Sequence, residues 1–187
     1  MMRIITGKAR GIRLDTLEGE ATRPTSERAK EALFSMIQFE LEGREVLDLF
    51  GGSGQLGLEA VSRGAARATI CDRSKQAAAI INRNAEKTKL AEFCRVVCSD
   101  WADLLTRYER REKFDIVFLD PPYAERLIPK VLPRLLPMLK PTSTVICESA
   151  EADVLGKSGM QDKFEVIKQA KYGVAYITIL RLKGEAE

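Results

Sequence analysis

From about residue 45 onward, short apolar runs alternate with amphipathic ones. "EVLDLF" (45–50) is apolar and ends at glycines, as a buried parallel strand would. "QLGLEAVSR" (55–63) follows with helical spacing, and Gly64 is placed to stop it. "ARATICD" (66–72), "CRVVCSD" (94–100), "FDIVFLD" (114–120) and "STVICESA" (143–150) predict four more strands. Between them, "SKQAAAIINRNAEKTK" (74–89) predicts a helix capped by Ser74, and "WADLLTRY" (101–108) a shorter one. The run "ERLIPKVLPRLLPMLK" has helical spacing but prolines at 129, 133 and 137, so a kinked helix or two short pieces is expected there. The β-rich runs around Lys171-Tyr172-Gly173 predict a terminal hairpin.

Alternating strands and helices predict an α/β fold of the Rossmann-like type, with a mostly parallel sheet and helices on both faces. Ligands of such sheets bind outside the carboxyl ends of the strands. Upstream, "RIITGKARGIRL" reads as a small basic β-hairpin, with Lys8, Arg10 and Arg13 projecting as phosphate contacts. "RPTSERAKEALFSMI" reads as an amphipathic helix capped by Thr25 or Ser26, with Glu27 in its first turn. Its buried face would be Ala29, Leu33 and Ile37. Arg23, Arg28 and Lys30 would line the approach to a pocket. The expected division is a basic extension over 1–22 and the main domain over 23–187.

Composition narrows the chemistry. With 187 residues, 45% hydrophobic and 30% charged, the chain is long enough to bury a substantial core. No run approaches the length of a membrane span, and the N-terminus lacks the apolar core of a signal peptide, so a cytoplasmic protein without membrane contact is expected. There is no histidine, so any chemistry runs without the commonest general base. The cysteines at 71, 94, 98 and 147 read as reduced, buried small hydrophobes, and no metal site is expected.

"FGGSGQLG" (50–57) contains a literal G-x-G-x-x-G, the spacing of a dinucleotide loop. Four successive strands, however, end at or near Asp48, Asp72, Asp100 and Asp120, which suggests one acidic rim lining one pocket. A pyrophosphate would be repelled by Asp48, whereas a cation would be held. S-adenosyl-L-methionine carries an ammonium and a sulfonium. Asp72 lies 18 residues after Gly54, suitable for ribose hydroxyls in either ligand. Asp100 and Trp101 could meet the adenine. The third glycine, Gly57, reads as coincidental to the ligand loop; one turn into the helix, it would let that helix approach the first strand.

"FLDPPYAE" supplies the reactive group. An exocyclic amino group is a poor nucleophile, because its lone pair is delocalised into the ring. Asp120 can accept one of its N–H groups and the Pro121 carbonyl the other, which favours a pyramidal nitrogen. Pro121 and Pro122 fix the turn and offer no N–H, and Tyr123 gives a face for an extracted base. Orientation and electrostatics would carry the rate.

With these residues in view, the chain resembles the bacterial 16S ribosomal RNA guanine-N2 methyltransferases, a small single-domain, D-P-P-Y group of class I S-adenosylmethionine-dependent enzymes. "RIITGKARGIRL", "TRPTSERAKEALFSMI", "VLDLFGGSGQLGLEAVSRGA" and "DIVFLDPPY" carry the resemblance over nearly the whole chain. The specific parts are D-P-P-Y and R-P-T-x-x-R, which is Arg23, Pro24, Thr25 and Arg28 here. The resemblance implies a seven-stranded sheet with a terminal antiparallel hairpin. It implies Asp120 to Tyr123 at the target amine, and Asp48, Phe50, Gly51, Gly52, Ser53, Gly54, Asp72, Arg73, Asp100 and Trp101 around the cofactor. Lys8, Arg10, Arg13, Arg23, Thr25 and Arg28 would meet RNA. The substrate implied is 16S rRNA within an assembling small subunit, and the enzyme a monomer. D-P-P-Y also permits an adenine-N6 DNA or protein-glutamine methyltransferase. The glycine loop leaves a Rossmann dehydrogenase open, and the basic arm a catalytically inert RNA-binding module.

Overall fold

A computed structural model describes residues 2–17, 27–109 and 111–184, with the side chains of 27 and 28 left undescribed. Seven strands form one sheet: β1 (Glu45–Asp48), β2 (Arg67–Asp72), β3 (Cys94–Cys98), β4 (Phe114–Leu119), β5 (Leu139–Ser149), β6 (Phe164–Tyr172) and β7 (Ala175–Leu182). Their order is β3-β2-β1-β4-β5-β7-β6. β1 to β5 run parallel, and β7 inserts antiparallel between β5 and β6. The strand order reverses between β1 and β4, which opens a crevice at their carboxyl ends.

Strand alternation divides the core into two layers. Val46, Ile70, Ile116, Phe118 and Ile146 face α1 (Glu27–Met36), α2 (Gln55–Ser62) and α3 (Lys75–Lys87). Leu47, Val117, Leu119, Val145 and Cys147 face α4 (Trp101–Tyr108), α5 (Ile128–Leu135) and α6 (Val154–Ser158). Residues one apart on a strand point to opposite faces, so near-continuous apolar runs fill both layers. Ala29, Leu33 and Ile37 are all buried, as the amphipathic spacing predicts. Ser74 caps α3 by accepting from the Ala77 amide. The expected caps Thr25 and Ser26 lie outside the described residues.

The proline-rich run resolves into two pieces. Pro129 occupies the first turn of α5, Pro133 lies inside it, and Pro137 opens a separate 3-10 turn, Leu136–Met138. Spacing of four puts the three prolines on one partly exposed side. Ile128, Val131, Leu132 and Leu135 remain buried on the other.

One expectation is corrected. All four cysteines are free thiols, but Cys98 is exposed and Cys94 only partly buried. β3 is an edge strand whose faces are incompletely covered. Among the described residues no helix is long and apolar enough to cross a membrane.

The N-terminal segment forms a hairpin with a single bridge, Arg3 opposite Arg13, and it is bonded to the helices rather than to the sheet. Ile4, Ala9 and Leu14 enter the core layer of α1 to α3. Glu59 of α2, itself buried, accepts from the Ile5 amide at 2.7 Å, the Thr6 amide at 3.0 Å and Arg63 Nε at 2.6 Å. Ser62 accepts from the Ala9 amide and donates to the Thr6 carbonyl. Asn84 of α3 exchanges two hydrogen bonds with the Asp15 backbone and donates to the Ser53 carbonyl. The hairpin is thereby tied to the helix that follows the glycine loop.

Glu59→Ala would strand two part-buried backbone donors and one guanidinium. A loss of roughly 3–5 kcal/mol is expected. Limited trypsin digestion should then cut first within residues 3–13, while Glu59→Gln, which keeps an acceptor, should fall between the two. Unchanged urea midpoints and cleavage patterns would show that the arm docks by apolar contact alone.

Candidate active site

The glycine loop is built by close approach of backbone to Ile70. A Cβ on Gly51 would stand 2.6 Å from Ile70 Cγ2, and one on Gly57 2.6 Å from Ile70 Cγ1. Gly57 has the packing role expected of it, though chiefly against β2: only a residue without a side chain lets α2 lie this close to Ile70. Its amide donates to Asp48 Oδ2 at 3.0 Å. Gly54, at φ 82°, is the N-cap of α2, a left-handed position that favours glycine. The Gly52 amide donates to Asp72 Oδ2 at 2.9 Å, which ties the loop to the end of β2.

A cavity opens at the carboxyl ends of β1 to β4. Phe50, Gly52, Asp72, Arg73, Asp100 and Trp101 line it together with Asp120 and Pro122. Three of the four strand-end aspartates thus share one site. Asp100 Oδ1 caps α4 through the Ala102 amide. Asp72 accepts from the Ser74 amide as well as from Gly52. Sequence reasoning missed Glu125, which also lines the cavity and pairs with Arg73 at 2.7 Å. The described lining carries four carboxylates (Asp72, Asp100, Asp120, Glu125) and one cation, Arg73.

The fourth aspartate is elsewhere. Asp48 is 1% exposed and lies under the loop, turned toward Gly57 rather than into the cavity. Ser53 is also turned away, its hydroxyl against Met2 Sδ and its carbonyl toward Asn84. Gly51, Gly54, Asp48 and Ser53 form the underside of the loop, while Phe50 and Gly52 form its cavity-facing side. The direct contact expected of Asp48 with a cation is replaced by a supporting role.

A second, larger cleft lies beyond the D-P-P-Y turn. Pro121, Pro122, Tyr123, Glu148, Ser149 and Glu151 are among its walls. The two cavities share Pro122 and Leu127. The Tyr123 hydroxyl donates to Glu148 Oε1 at 2.7 Å. Glu148, at the end of β5, gave no local signal in the sequence, because its meaning comes from a strand that is distant in the chain.

The basic residues are spread out. Lys8, Arg10 and Arg13 are all exposed. Lys8, however, bonds through its amide to the Ser62 carbonyl at the last residue of α2, and its ammonium lies over Phe93, just before β3. That is the edge where the strands begin, opposite the clefts. α2 spans about 12 Å from the glycine loop to that point. Arg23, Thr25 and the Arg28 side chain lie outside the described residues. Lys30 bonds to Gln55, which sets the first turns of α1 beside the start of α2, on the cleft side.

Burial pushes the Asp48 carboxyl up to about 7, and Asp72 adds repulsion. The Gly57 amide, Lys30 and the Phe50 amide oppose the shift. Burial likewise pushes the thiols of Cys71 and Cys94 up to about 12, so neither is a reactive thiolate at neutral pH.

Two predictions follow from this geometry. Gly57→Ala gains about 1 kcal/mol of helix propensity but forces Ile70 or the helix to move, for a net loss of about 1–3 kcal/mol. Thermal melts should show it, with weakened cofactor binding by calorimetry, and Ile70→Ala should restore part of the loss. The second concerns pH. The folded chain holds the Asp48 proton more tightly than the unfolded chain, so this carboxyl favours folding below about pH 4 and loses that advantage as pH rises through 7. Asp48→Asn keeps an acceptor for Gly57 and lacks the charge. Its stability relative to wild type, read from urea midpoints, should rise between pH 5 and 8 by about 2–3 kcal/mol. A constant difference across that range would show that Asp48 stays ionised.

Relatives place this architecture. The family described as conserved hypothetical protein 95 matches residues 2–181. A Bacillus subtilis protein named "Putative rRNA methyltransferase YlbH" is 32% identical over 187 residues, covering 98% of this chain and 100% of its own. The Haemophilus influenzae protein named ribosomal RNA small subunit methyltransferase D is 36% identical over 151 residues, covering 79% of this chain and 78% of its own. A solved Escherichia coli structure described as "Putative methyltransferase yhhF" superposes with a TM-score of 0.84 at 28% identity, covering 98% of this chain and 99% of that one. The resemblance drawn from the motifs is borne out: the chain belongs to the conserved hypothetical protein 95 family, together with the small-subunit rRNA methyltransferases D.

Proposed function

We propose that this protein is an rRNA methyltransferase that transfers a methyl group from S-adenosyl-L-methionine to the exocyclic N2 amine of a guanine in 16S rRNA. The observation that carries the reading is the pair of cavities meeting at Asp120 to Pro122, one acidic and bounded by a glycine loop, the other bounded by the D-P-P-Y turn. The names of the Bacillus and Haemophilus relatives support rRNA as the substrate. A more distant fold neighbour, 17% identical with a TM-score of 0.68, is described as "SMU.776, a putative methyltransferase complexed with SAH".

The first cavity suits this cofactor. Its carboxylates favour an ammonium and a sulfonium and oppose a pyrophosphate, which argues against a dehydrogenase. Asp72, fixed by Gly52, faces the cavity for ribose hydroxyls. Trp101 and Asp100 offer a ring and a carboxylate to the adenine. Arg73 and Phe50 complete the wall. The cofactor supplies an electrophilic methyl group. Asp120 accepts one N–H of the target amine and the Pro121 carbonyl the other, which turns the nitrogen lone pair out of the ring plane. The bound cofactor would give up its methyl group to this nitrogen as S-adenosylhomocysteine leaves, and the nitrogen would then lose one proton to solvent. Pro121 and Pro122 present no competing N–H. Tyr123 flanks the base in the second cleft.

RNA is held by dispersed charge. Lys8 and Arg10 serve phosphates at the far edge of the sheet. Arg13, Arg23, Thr25 and Arg28 supply further phosphate contacts. The arm over 1–22 belongs to the substrate surface, and residues 23–187 form the methyl-transfer unit.

Asp120→Ala should reduce transfer to small subunits lacking the modification by at least about 10²–10³-fold, while S-adenosylhomocysteine binding by calorimetry stays close to wild type. Asp72→Ala should do the reverse, weakening cofactor binding by about 10–100-fold through lost charge-assisted hydrogen bonds. Label from tritiated cofactor appearing in protein or DNA rather than rRNA would overturn the substrate.

A further inference from the structure

Leu119 of β4 pairs with Cys147 of β5. Asp120 and Glu148 therefore follow at one level on adjacent strands, their backbones about 4.8 Å apart. Glu148 is 4% exposed, yet it lines the second cleft beside Pro121, Pro122 and Tyr123. The Tyr123 hydroxyl, donating at 2.7 Å, fixes where its carboxylate points. A carboxylate is acceptor-only and takes several donors at once. Such a group at the floor of a cleft discriminates by what it refuses as much as by what it holds, because an acceptor facing it is repelled and left unpaired.

Candidate target amines differ in the group beside them. Guanine presents the N1–H donor next to its N2 amine. Adenine and cytosine present a ring nitrogen acceptor, and a glutamine amide presents its carbonyl oxygen. Two adjacent acceptors, one on each strand end, match the two adjacent donors of guanine alone. Resting on the reading of this cleft as the target-base site, the geometry points to Glu148 as the residue that selects guanine. It accepts N1–H while Asp120 and the Pro121 carbonyl hold the N2 amine. Tyr123 has two tasks in this arrangement: its ring flanks the base, and its hydroxyl orients the selecting carboxylate.

The test uses the full-length protein and base analogues at the modified position, once mass mapping has located it. Small subunits are reconstituted with guanosine, 2-aminopurine or 2,6-diaminopurine there. Both analogues keep the 2-amino group but replace N1–H by an acceptor. Wild type should methylate guanosine about 10–100-fold faster, as kcat/KM, than either analogue. Glu148→Gln keeps an acceptor for the Tyr123 hydroxyl and can turn its amide N–H toward N1, so the preference should collapse to within a few-fold. Tyr123→Phe leaves the carboxylate in place but removes the hydroxyl that orients it, so the preference should weaken to a value between wild type and Glu148→Gln. Equal wild-type rates on guanosine and the analogues would overturn the role of Glu148 and leave the methyltransferase reading intact. A wild-type preference retained in Glu148→Gln would overturn selection by Glu148, and one retained in Tyr123→Phe would overturn the orienting task of its hydroxyl. No transfer to any RNA, guanosine included, would overturn the proposed function itself.

Discussion

Ile70 is the fixed point around which the glycine-loop side of the first cavity is built. It sits in the middle of β2 and leaves room for backbone alone on two sides, at Gly51 and at Gly57. Those two contacts set how closely the loop and α2 approach the sheet. Once they are set, the Gly52 amide reaches Asp72, the Gly57 amide reaches Asp48, and the loop's other side is presented to the cavity. A bulkier glycine position would displace all three relationships together, because a packed core shifts as a unit rather than locally.

The N-terminal hairpin extends the same dependence. Its anchors, Glu59 and Ser62, are on α2, and Asn84 joins the Asp15 backbone to the carbonyl of Ser53 in the loop itself. The basic arm and the cofactor loop therefore share one helix as a foundation. Lys8 and Arg10 are carried to the end of that helix farthest from the clefts. A folded RNA bound by the whole surface would have to span the thickness of the sheet edge to edge.

Much of this was legible in the residues. Strands of five or six apolar residues ending at glycine or aspartate announce a parallel sheet, because a strand buried on both faces has no polar side to show. D-P-P-Y was legible because its chemistry is local: acceptor, fixed turn and ring are consecutive. The orientation of Asp48 was not, since a carboxylate before a glycine loop can face the ligand or the following helix, and the choice is made by Ile70 and Gly57. Glu148 and Glu59 were silent for a similar reason. Each is an ordinary acid in its own segment, and its partners are 25 and 54 residues away in sequence. The prolines at 129, 133 and 137 misled only if read as three defects. At a spacing of four they share the outer side of one interrupted helix.

β5 owes its alignment with β4 partly to the chain's last strand. β7 pairs with β5 from Thr144 to Ser149 and β6 pairs in turn with β7, so the terminal hairpin clamps β5 lengthwise. Side chains alternate along a strand, so a shift by one residue would bring Cys147 or Ser149 level with Asp120 in place of Glu148. The identity of the group beside the D-P-P-Y aspartate is thus held by hydrogen bonds on the opposite edge of β5, in a segment that contributes no wall to either cleft. An insertion or deletion there would rewrite the site without touching any residue in it.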